Sequence, residues 1–74
     1  ENKEVSSNPQ LTILLADAIL MLDILNEFAI KIKCQSLIKS GRSGSARSVF
    51  DRFVNEYELM IGKEFPKKFH QFMS

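Results

Sequence analysis

Residues 11–39 read LTILLADAILMLDILNEFAIKIKCQSLIK, twenty-nine positions with no proline or glycine and with apolar side chains at almost every helical spacing. The stretch predicts one long helix. At ~100° per residue, Leu11, Leu14, Leu15, Ala18, Met21, Leu22, Leu25, Phe28, Ala29 and Ile32 share one side, with Ile13 and Ile24 along a flank. Thr12, Ala16, Asp23, Asn26 and Glu27 mark the other side, which Ile19 and Ile30 interrupt. The apolar arc covers roughly 200°, twice the ~100° stripe of a helix packed on one neighbour. Such a helix wants neighbours on two sides. Leu11, Leu15, Ala18, Leu22, Leu25, Ala29 and Ile32 also alternate spacings of four and three, as a bundle seam does. That frame stops at Ser36, which favours a bundle core over an extended coiled coil.

The start of the helix is well signalled. Asn8 is a good N-cap and Pro9 suits the first helical position, because proline holds its predecessor extended. Ser7 with Gln10 offers a capping box one residue earlier. From Pro9 to Lys39 the helix would run roughly 45 Å, with Lys31, Lys33 and Lys39 toward the negative end of its dipole. Residues 1–8 precede it as a polar tail. Residues 40–45, SGRSGS, then break the pattern, and their length suits an antiparallel helical hairpin. Their composition fits a natural loop and also an engineered Gly/Ser joint between two separate segments.

Residues 46–74 continue with a second helix capped at Ser45 or Ser48. Val49, Phe50, Phe53, Tyr57, Met60 and Ile61 form its apolar stripe, and Arg47, Asp51, Arg52, Asn55, Glu56 and Glu58 face outward, Arg52–Glu56 as an i,i+4 pair. Gly62 is placed to end it in the left-handed conformation. Pro66 then opens a short third helix of about two turns, with Phe65, Phe69, Phe72 and Met73 on one side. The expected fold is all-α: a hairpin of one long and one folded-back helix, a short third helix, and a bundle completed by self- or hetero-association.

Composition narrows the class of function. Seventy-four residues, 45% hydrophobic and 26% charged, make one small domain near the lower limit of what folds unaided. A net charge of +1 gives no general pull toward nucleic acid or anionic membrane. Cys34 is the sole cysteine, which excludes an intramolecular disulfide and leads us to expect a small residue near the helix surface in an intracellular setting. The chain opens at Glu1 without a methionine, as an excerpt or processed product would. The apolar run from Ile13 to Ile30 carries Asp17, Asp23, Asn26 and Glu27, and an aspartate near the centre of a membrane span costs about 2.5–3.5 kcal/mol. No membrane span is expected, and Asp17 also spoils a signal peptide.

No constellation for chemistry emerges. Asp17 lies within the apolar arc, where a carboxylate wants a cation or the wet margin. Lys63, Lys67 and Lys68 are its candidate partners in an antiparallel hairpin. No second acid, histidine or nucleophile stands with it, so catalytic residues and cofactors are not expected. His70 is the only histidine, and one Cys with one His does not make a zinc site. The expectation is a non-enzymatic protein–protein interaction or assembly module. Its partner-binding residues are Leu15, Ile19, Leu22, Leu25 and Phe28, with Asp17 setting register, and its partner is another protein's helix or a second copy in an antiparallel dimer. A variant treats residues 40–45 as a tether fusing two natural partner segments. The competing class is a helical nucleic-acid-contacting domain using Arg42, Arg47, Lys67 and Lys68, although so few cations make a weak footprint. A membrane-surface helix is disfavoured by the acidic middle of the long helix.

Overall fold

The computed structural model describes residues 8–74, and all of its regular structure is helical: α1 (Pro9–Leu22), α2 (Glu27–Lys39), α3 (Ser43–Ile61) and α4 (Phe69–Met73). The polar tail expected over residues 1–8 lies, apart from Asn8, outside the described residues. Asn8 caps α1 as its sequence suggests, its side-chain oxygen accepting from the Gln10 and Leu11 N–H groups at 3.0 and 3.2 Å.

The single long helix over residues 9–39 is not what forms. It breaks at Asp23–Asn26 into α1 and α2. No proline or glycine marks the place, but two side chains suited to helix ends do. Asp23 leaves helical geometry at φ −147°, and Asn26 Oδ1 accepts from the Ala29 N–H at 2.9 Å as the N-cap of α2. Glu27 adds a negative charge to the first turn of α2, where the helix dipole favours it. The physical reason for the break is burial. A continuous helix would leave most of its wide apolar arc in water, whereas folding back buries Ala16 and Ala29 completely and packs Ile13, Leu20 and Leu25 against the core. Tertiary packing thus overrides an unbroken helical propensity. The salt bridge from Lys33 Nζ to Asp17 Oδ1, at 2.8 Å, ties the two antiparallel helices together.

The second connection is also tighter than the composition of residues 40–45 suggests. Only Ser40, Gly41 and Arg42 lie between helices, and Gly44 and Ser45 belong to the first turn of α3. Gly41, at φ +77°, closes α2 in a Schellman turn: its N–H donates to Ile38 O at 3.0 Å, and the Arg42 N–H donates to Leu37 O at 2.8 Å. A left-handed residue is required there, and glycine adopts it without a Cβ penalty. Neither Ser45 nor Ser48 caps α3; its N-terminal position is Arg42, which makes no side-chain cap bond. Gly62 ends α3 in the left-handed conformation, as expected.

The core sits between α2, α3 and the C-terminal segment. Ile30, Cys34 and Leu37 from α2 meet Ala46, Phe50 and Phe53 from α3, and Phe65 and Phe72 close the far side. Phe53 stacks edge-on against Phe65 at 5.1 Å, and Phe50 packs on Phe69 and Phe72 at 5.3 Å each. Cys34, expected near the surface, is fully buried, with its thiol donating to Ala46 O at 3.4 Å. Met60 and Ile61, assigned to the stripe of this helix, are exposed beyond the end of the core. The third helix is shorter than two turns and starts after Pro66, at Phe69, where the Lys68 N–H donates to Gln71 Oε1 at 2.9 Å. The i,i+4 ion pair of α3 is Arg47–Asp51, at 3.3 Å, instead of Arg52–Glu56.

Helix α2 is the hub for α1 and α3, while α4 lies against α2 and, through Phe69 and Phe72, against Phe50 of α3. The result is an oblong body, 43 × 25 × 17 Å, too thin to enclose α1.

Candidate interaction surface

Helix α1 touches its neighbours along one edge. Ala16 is its single fully buried residue, with Ile13 and Leu20 half-buried on either side. At ~100° per residue, Met21, Leu14, Ala18, Leu11, Leu22 and Leu15 run in that order around the side away from Ala16, with Gln10 and Asp17 bordering Met21. Among these, Leu14 is 66%, Met21 86% and Leu22 93% exposed, and Leu11, Leu15 and Ala18 are exposed as well. Helix α1 is therefore covered on its inner edge and largely apolar on its outer one. With roughly 200 Å² for a fully exposed large side chain, the five large residues present roughly 600–700 Å² of apolar surface, at or above the largest patch of most soluble monomers.

An open groove of about 720 Å³ adjoins this face, because α1 and α3 flank α2 without closing over it. Leu20, Met21, Ile24, Ile30, Val49 and Phe53 line it, and Asp17, Lys33, Arg52 and Glu56 add charge. Met21 belongs to both the groove and the outer face.

Of the residues singled out from the sequence, Leu15, Leu22 and Phe28 are exposed, Phe28 at the first turn of α2. Ile19 and Leu25 are half-buried, and Leu25 packs against the core. Asp17 meets Lys33, not Lys63, Lys67 or Lys68. Leu11, Leu14, Ala18 and Met21 complete the surface; the wheel places them on the same side as Leu15 and Leu22, and the structure shows that this side has no neighbour. The Asp23/Asn26 pair is the local signal that α1 ends there and α2 begins afresh.

Around Cys34, burial pushes the thiol up from 9.0 to about 11, against a smaller lowering pull from Lys33. The group is held neutral and closed to solvent, so it belongs to the core. Among the described residues no group of three or more His, Cys, Asp or Glu side chains is placed to hold a metal ion, and no helix is long and apolar enough to cross a membrane. Arg47 lies over the Phe69 ring at 5.4 Å while paired with Asp51; Lys67, Lys68 and Arg42 are exposed.

Comparison with protein-family models, with curated proteins and with solved structures gave no significant match.

Proposed function

We propose that the chain is a non-enzymatic protein–protein interaction or assembly module that docks through the outer face of α1. The observation that carries this reading is an uninterrupted apolar arc, Leu11–Leu14–Leu15–Ala18–Met21–Leu22, pointing away from the chain's own core. Exposed apolar surface of this extent is unfavourable in water and is retained where a partner covers it. Leu22 and Met21 are the anchors, since they have the most surface to lose, and the Asp17–Lys33 pair at the edge supplies register. The Schellman turn at Gly41 supports taking residues 8–74 as one folded unit in preference to two tethered segments. The nucleic-acid alternative is weaker, because Arg47 is already engaged by Asp51 and Phe69.

The test replaces Leu14 and Leu22 together with Glu. Both are exposed, so the circular dichroism spectrum should not change. The double variant should lose self-association or, if the parent is monomeric, the apolar-dye binding that an open face gives. A variant matching its parent in both mass and dye binding would remove the docking surface.

A further inference from the structure

We propose that the occupant of the α1 face is a second copy of this chain, docked antiparallel about a two-fold axis at Ala18. The inference rests on the docking-surface reading above and adds to it the partner and the geometry.

The first argument is the spacing of the exposed residues. Leu15 and Met21 stand three positions on either side of Ala18, and Leu14 and Leu22 stand four. A two-fold interface requires that if residue i meets residue j, then j meets i. Two α1 helices crossed antiparallel at Ala18 satisfy this with large apolar side chains throughout: Leu15 against the second copy's Met21, and Leu14 against its Leu22. Leu11 then reaches past the end of the opposing α1, toward the exposed Ile24 in the turn. Ala18 is the smallest side chain of the arc and stands at its centre. It lets the helices approach to the short end of the usual 8–10 Å interaxial distance.

The second argument is area. Each copy offers roughly 600–700 Å², so a pair buries on the order of 1,200 Å² or more, the lower end of stable specific interfaces. The third is charge. The arc carries none, so two copies bring no like charges together, and an acidic or basic partner would find nothing to complement. Asp17 is the one charged residue of α1; it stands off the arc and is engaged by Lys33. The absence of Lys or Arg from α1 also leaves it nothing to set against anionic lipid headgroups.

The experiment combines mass with geometry. Light scattering coupled to gel filtration at micromolar concentration should return twice the 8.5 kDa chain mass, and Leu22→Glu should return a single chain mass with its helical spectrum intact. Under mild oxidation, Ala18→Cys should give a disulfide-linked dimer. Leu14→Cys alone should not, because in this geometry the two copies of position 14 lie about 12 Å apart along the helix axes, beyond disulfide reach. A mixture of Leu14→Cys and Leu22→Cys should cross-link, whereas the parent, its Cys34 buried, should not. A parent that is monomeric but binds apolar dye overturns the second copy while leaving the α1 docking surface standing. Monomeric protein that instead sediments with phosphatidylserine vesicles overturns it in favour of a lipid surface. A dimer that survives Leu22→Glu and does not cross-link at Ala18 overturns this inference and the α1 docking surface together.

Discussion

Two glycines three residues apart should respond to alanine with opposite signs. Gly41 stands at φ +77° with open space around the position a Cβ would take, so Gly41→Ala introduces backbone strain and no clash. A left-handed non-glycine residue costs about 1–2 kcal/mol, and the strained residue is the donor that closes α2 onto Ile38 O. Gly44 also faces open space but has ordinary helical geometry within the first turn of α3. Gly44→Ala removes freedom from the unfolded chain without straining the folded one, which stabilises by about 0.4–1 kcal/mol. The two variants should therefore differ by about 1.5–3 kcal/mol. At 4–8 °C per kcal/mol for a domain of this size, that is a separation of roughly 6–24 °C in melting temperature. Thermal and urea melts followed by circular dichroism at 222 nm would read it. If both variants melt with the parent, residues 40–45 are a passive linker and the Schellman turn does not hold the hairpin.

Asn26→Ala removes the cap on the Ala29 N–H and should lower stability by about 1 kcal/mol without raising helix content; a rise in ellipticity would show that α1 and α2 fuse once the cap is gone. Phe53→Ala empties a site that is 3% exposed and ringed by Tyr57, Phe65 and Phe72, at about 3–5 kcal/mol, and should leave the domain partly unfolded at room temperature by urea titration. Total stability for this length is only about 4–11 kcal/mol, and a melt within about 1 °C of the parent would mean that the aromatic cluster is not the core. Cys34 gives a pH dependence of defined sign: above pH 9 the unfolded thiol loses its proton while the buried one keeps it up to about 11, so its contribution is full below 9 and disappears as pH rises across that window. Cys34→Ala should flatten that part of the stability–pH curve, and an unchanged slope would place the dependence elsewhere.

Much of the architecture is legible from residue types whose local chemistry decides their conformation. Asn8–Pro9 starts α1, Gly62 stops α3, and Phe50 and Phe53 face inward, because capping, left-handed backbone and apolar periodicity are local properties. The break at Asp23–Asn26 is not local in the same sense. Leu22, Ile24 and Leu25 are all compatible with helix; Asn26 offers a cap locally, and the burial gained by folding α1 back favours the turn over continuing the helix. Once it is made, a wheel carried across it loses phase. Phe28 and Ala29, placed on one side with Leu22, separate: Ala29 is fully buried while Phe28 stays in water. The candidate surface was not lost with the phase, since Leu11, Leu14, Leu15, Ala18, Met21 and Leu22 all precede the break and share one side of the wheel; what a wheel does not show is that this side has no neighbour. Helix α1 was apolar enough to be read as core, and its exposure follows from how few neighbours reach it.

The distribution of burial separates the residues that hold the fold from an apolar face left exposed. The aromatic cluster, with Ile30, Cys34 and Leu37 of α2 opposite it, concentrates the deeply buried area between α2, α3 and the C-terminal segment. Helix α1 adds one fully buried alanine, three half-buried aliphatics and a partly exposed ion pair, which at such exposure is worth under about 1 kcal/mol. Its Met21 and Leu22 side chains gain little from folding of the single chain, because they stay in water in the folded state as in the unfolded one. Replacing Leu22 by a polar residue should thus leave the monomer no less stable and make it more soluble. A chain that had only to fold would gain by that change. That Leu14, Met21 and Leu22 are apolar at positions where folding demands it least is the physical ground for the proposal that α1 associates, and the proposal falls on the helix whose loss of surface residues the core can best tolerate.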